Sequence, residues 1–76
     1  MKTKFKVFVA PNGDYGVIES AGFGFGYIST SKKPEFIDES LTMTEIYNKW
    51  KDQLHPENLK TIMEDWKLVT VTLNLV

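Results

Sequence analysis

Lys67-Leu68-Val69-Thr70-Val71-Thr72-Leu73-Asn74-Leu75-Val76 alternates apolar and polar residues more regularly than any other stretch of the chain. Val69, Val71, Leu73 and Leu75 project to one side, and Thr70, Thr72 and Asn74 to the other. Period-2 alternation of β-branched residues, free of Gly and Pro, predicts a half-buried strand. A strand with one apolar face needs a covering layer. The two amphipathic segments just before it are the expected cover, so the four apolar residues are expected to face them.

The first of those segments opens at Thr42, which forms a Thr-x-x-Glu capping box with Glu45, flanked by Leu41 and Ile46 at staple positions. Met43, Ile46, Tyr47, Trp50 and Leu54 follow at helical spacing, and Glu45 with Lys49 makes a favourable i, i+4 pair. Pro56 disfavours helical geometry at His55 and suits the first turn of a second helix. Leu59, Ile62, Met63 and Trp66 give that segment its own apolar stripe. Residues 43–66 read either as two helices or as one kinked helix.

The N-terminal half reads as sheet. In Thr3 to Ala10, Phe5, Val7 and Val9 share a face, with Lys4, Lys6 and Phe8 on the other, and the Lys residues suggest that this second face meets water. Pro11-Asn12-Gly13-Asp14 is a tight turn. Tyr15 to Ser20 is a weaker strand, Ala21-Gly22 turns the chain, and Phe23 to Thr30 is a third strand. Ser31 to Ser40 reads as a loop with Phe36 and Ile37 tucked under the fold. The expected fold is α+β, β-β-β-α-α-β: a small antiparallel four-stranded sheet with two helices on one face. The last strand should lie beside the first and antiparallel to it.

Seventy-six residues make one domain spanning residues 1–76, near the lower size limit for a chain without staples. The absence of Cys excludes disulfides and a Cys-ligated zinc. No apolar run is long enough for a signal peptide or membrane span, so a soluble cytoplasmic protein is expected. Net charge is −1 and all nine basic residues are Lys. That balance argues against a dedicated duplex-DNA binder, and the lack of Arg removes the planar fork that reads phosphates and guanine edges. Residues 1–33 hold five Lys against Asp14 and Glu19, a net of +3, and residues 34–76 hold four Lys against eight acids, a net of −4. A basic sheet side and an acidic helical side follow.

Catalytic and metal chemistry find little to stand on. His55 is the single histidine and has no partner at motif spacing, so a capping or solvent-facing turn role is expected. Glu35, Asp38 and Glu39 match no Ca²⁺-loop spacing and read as a solvated acidic loop. The chain is expected to be no enzyme and to carry neither metal nor cofactor.

Gly22-Phe23-Gly24-Phe25-Gly26-Tyr27 is the most distinctive local feature. Its Gly-Phe-Gly-Phe core resembles the aromatic strand motif of RNA-recognition and cold-shock domains, where exposed Phe rings stack on bases. The resemblance covers about eight residues, with Ala21 in place of the leading basic residue and Ile28 in place of the last aromatic. The favoured reading packs Phe23, Phe25 and Tyr27 inward, with the glycines permitting a bend. The other presents them on the surface.

The whole pattern is also similar to small uncharacterised phage and prophage proteins of low-GC bacteria. The similarity lies in the opening Lys4-Phe5-Lys6-Val7-Phe8-Val9 strand, a Gly-containing hairpin, a helical middle and the closing Asp65 to Val71 segment. It implies a protein-binding role such as inhibition of a host or defence factor. The expected function is therefore a small non-enzymatic protein-binding module, with a single-stranded nucleic-acid binder as the alternative. Both would use an open sheet face carrying Lys4, Lys6, Phe8, Thr70 and Thr72, with Phe23 and Phe25 added. That face could equally be the interface of a homodimer.

Overall fold

A computed structural model describes residues 2–74. It holds β1 (Lys2–Val9), β2 (Tyr15–Gly22), β3 (Phe25–Ser31), a short β4 (Ile37–Asp38), α1 (Met43–Trp50), α2 (Pro56–Glu64) and β5 (Lys67–Asn74). The fold is α+β, as expected, with the two helices on one face of an antiparallel sheet. β1 lies between β2 and β5, and β5 runs antiparallel to it from Lys2↔Asn74 to Val9↔Lys67. The edge of β1 away from β5 is shared. β2 pairs there only at Phe8↔Gly16 and Val9↔Tyr15, and β4 pairs at Phe5↔Asp38 and Lys6↔Ile37. Two residues carry no readable period, so the sequence reads β4 as loop; in the structure it fills the edge that β2 vacates.

The turns and caps form where local chemistry places them. Gly13 adopts φ +88, Ala10 N–H donates to the Asp14 carbonyl, and the Asn12 side chain accepts from Asp14 N–H. The Thr42 hydroxyl accepts from Glu45 N–H at 3.2 Å and donates to the Glu45 carboxylate, completing the capping box. Thr42→Ala should cost about 1 kcal/mol. A thermal melt should then fall by roughly 4–8 °C. His55 caps α2, its Nδ1 accepting from Glu57 N–H, and Pro56 occupies the first turn. Residues 51–55 separate the helices, which settles the choice in favour of two. Lys49 lies over the Trp50 ring at 5.3 Å rather than on Glu45.

One expectation about the sheet is reversed. Phe8 lies opposite Leu68, and Lys6 opposite Thr70, on the side the helices cover. Phe8 is 1% exposed and packs against Trp66 at 5.5 Å, within a core of Ala10, Ile46, Leu54 and Ile62. Val69, Val71 and Leu73 share their face with Phe5 and Val7 and look away from the helices; Leu75 lies outside the described residues. The reason is volume. Both Trp rings sit on strand glycines on the helix side. A methyl group on Gly16 would lie 2.5 Å from Trp66, and one on Gly26 would lie 3.1 Å from Trp50 and Leu54. Gly16 is the hydrogen-bonded neighbour of Phe8, so the face that accommodates the Trp rings is also the face of Phe8.

Candidate partner-binding surface

β2 and β3 form a long hairpin whose strands pair from Tyr15↔Ser31 to Ser20↔Gly26, with a register shift before Gly22↔Phe25. Its tip is Gly22-Phe23-Gly24, and all three residues have positive φ, +85, +54 and +76. Glycine adopts such angles without strain, but a β-carbon in this region meets the backbone. Phe23 is the one non-Gly residue of the described chain there, and its side chain is 99% exposed. Phe25 is 69% exposed. The inward reading of these rings is thereby overturned: the turn falls at residues 22–24 rather than at Ala21-Gly22, which lifts Phe23 out of the strand. The flanking glycines were the available signal, because three residues able to take left-handed angles form a turn more readily than a strand.

Behind the tip, Tyr27 and Glu19 are cross-strand partners on the face away from the helices, and the Tyr27 hydroxyl donates to the Glu19 carboxylate. That hydrogen bond, and the carboxylate's charge, push the Tyr27 phenol above its ordinary value near 10. No Lys occurs between Asp14 and Ser31, so the hairpin presents rings without cations.

The other candidate residues share one face of the sheet, but it is the helix side. Phe8 is core. Lys6 turns to the helix side, where its Nζ donates to the Leu41 carbonyl at 2.8 Å. Lys4, Thr70 and Thr72 are exposed but lie on that same side, beyond the reach of the helices. The expected patch of Lys4, Lys6, Phe8, Thr70 and Thr72 on a helix-free face is therefore absent, because its members alternate onto the opposite side. The helix-free face is instead apolar. It carries Phe5, Val7, Val9, Val17, Val69, Val71 and Leu73, with the Phe36 ring tilted against Phe5 at 5.4 Å between ring centroids.

A cleft of about 300 Å³ opens where β2 peels away from β1 and β4 takes its place, lined by Ile18, Glu35, Ile37, Lys49 and Trp50. Burial, with the Glu19 charge adding to it, raises the Glu35 carboxyl above its usual range. Asp38 is held below its usual range by hydrogen bonds from Ser40 N–H and hydroxyl. Among the described residues no group of three or more His, Cys, Asp or Glu is placed to hold a metal ion. Among the described residues no helix is long and apolar enough to cross a membrane. A scan against family models finds no match, and neither does comparison with curated proteins or with solved structures.

Proposed function

We propose that this chain is a non-enzymatic protein-binding module that anchors on its partner through the tip of the β2–β3 hairpin. The observation that carries this reading is Phe23, a fully exposed ring on a left-handed backbone. Folding gains nothing from that ring. It buries no area, and its backbone angle costs on the order of 1–2 kcal/mol. Such strain marks residues whose use lies outside the fold. Two projecting Phe rings on a hairpin tip suit an apolar pocket on another protein, where aromatic anchors dominate binding energy. An anionic lipid surface fits less well, because it would draw on Lys or Arg beside the rings. A role as a small inhibitor of a host or defence factor fits a module of this size.

Phe23→Gly separates the two effects. Its melting temperature should equal or exceed that of the wild type, since glycine relieves the left-handed strain, while capture of the partner from a lysate is lost. A Phe23→Gly protein that captures the same partner as strongly as the wild type would remove the hairpin tip from the interface.

The alternative is stacking of single-stranded bases on Phe23 and Phe25, which the exposure of both rings favours. It requires a salt-dependent oligonucleotide shift that disappears in Phe25→Ala. Absence of any shift at low salt rejects it.

A further inference from the structure

We propose that β5 pairs with β5 of a second copy of this chain, antiparallel about a two-fold axis at Val71, joining the two sheets into one. Among the described residues, β5 has no ladder partner but β1, so its second edge presents unpaired N–H and C=O groups over eight residues. Strand edges left in that state are templates for another strand unless Pro, charge, a bulge or a cover blunts them. None of these devices is present between Leu68 and Asn74. The opposite edge of the sheet is treated differently: Gly26 N–H, on β3, donates to the Gln53 carbonyl of the α1–α2 loop at 2.6 Å. The β5 edge has no such contact among the described residues.

The occupant that fits is a second copy. Residues 68–74 carry no charge, so pairing with themselves brings no like charges together, and a charged partner would find nothing to attract it. Apolar continuity sets the parity of the register, and centring on Val71, the middle of residues 68–74, uses the whole uncharged stretch. Only pairings that place Val69, Val71 and Leu73 opposite one another keep the apolar face unbroken, since a one-residue slip would set valines beside threonines. With Val71 on the axis, Val69 meets Leu73, Thr70 meets Thr72 and Leu68 meets Asn74, so no charged residue falls between 68 and 74. Thr70 and Thr72 are exposed on the helix side, so no helix overhangs this stretch. Val69, already 40% exposed, gains a neighbour. In the joined sheet β2 and β3 are outermost, which places the two hairpin tips at opposite ends.

Sedimentation equilibrium across the micromolar range should give twice the 8.7 kDa chain mass, and Val71→Lys, which sets two ammonium groups across the axis, should return it to one chain. The chain has no cysteine, so Val71→Cys supplies an independent test. Mild oxidation should link Val71→Cys into a covalent dimer, whereas Thr44→Cys, exposed on α1, should stay single. A wild-type protein of single-chain mass, a dimer that persists in Val71→Lys, or equal cross-linking of the two cysteine variants would overturn the proposal. If Val71→Lys fails to fold, the cysteine pair decides alone.

Discussion

Phe8→Ala should lower stability by about 3–5 kcal/mol, the range for emptying a buried aromatic site. Phe8 is 1% exposed and fills the space between Trp66, Ile46 and Ile62. Trp66 closes one side of the vacated space and is itself held on Gly16, so collapse around the missing ring is limited and the cavity persists. A chain of this size has on the order of 4–11 kcal/mol in total, so the variant should be partly unfolded at room temperature. Urea denaturation followed by Trp fluorescence reads the change directly. Val71→Ala is the internal control. Val71 lies on the helix-free face, half-buried, and should cost about 1 kcal/mol or less in the single chain. Equal losses for the two variants would contradict the placement of Phe8 beneath the helices.

Gly16→Ala should be the next most damaging change. Its β-carbon would lie 2.5–2.9 Å from three atoms of the Trp66 ring, closer than van der Waals contact allows. The ring cannot retreat freely, since Trp66 is 6% exposed and abuts Phe8. Overpacking of this kind costs about 1–3 kcal/mol, outweighing the few tenths that alanine gains by restricting the unfolded chain. Gly13→Ala tests a different mechanism, because nothing lies within 4 Å of its β-carbon and the cost arises from its φ of +88 alone. A Gly16→Ala protein as stable as the wild type would mean that the ring does not rest on that glycine.

Much of the architecture was legible in local signals. Thr42 with Glu45, His55 with Pro56, and Asn12 with Gly13 are short-range arrangements, in which the groups that need partners lie within a few residues of the groups that supply them. The helical stripes and the alternation of β1 and β5 likewise set element type, and two helices between β3 and β5 brought the last strand back antiparallel to the first. The hairpin tip was less legible. Phe23 continues an aromatic alternation with Phe25 and Tyr27, and that period masked the turn its flanking glycines permit.

The sequence by itself determined that β1 and β5 each have two distinct faces; only the tertiary structure decided which face the helices cover. Alternation fixes the relative orientation of neighbours but is blind to an inversion of the whole strand. Here both faces are apolar, Phe8 with Ala10 and Leu68 on one side, and Phe5 with Val7, Val69 and Val71 on the other. The choice was made by shape across strands. Gly16 and Gly26 leave hollows on the Phe8 side deep enough for the Trp66 and Trp50 rings. The largest apolar side chains of the helical half therefore seat there, and the valines of β5 are left facing outward.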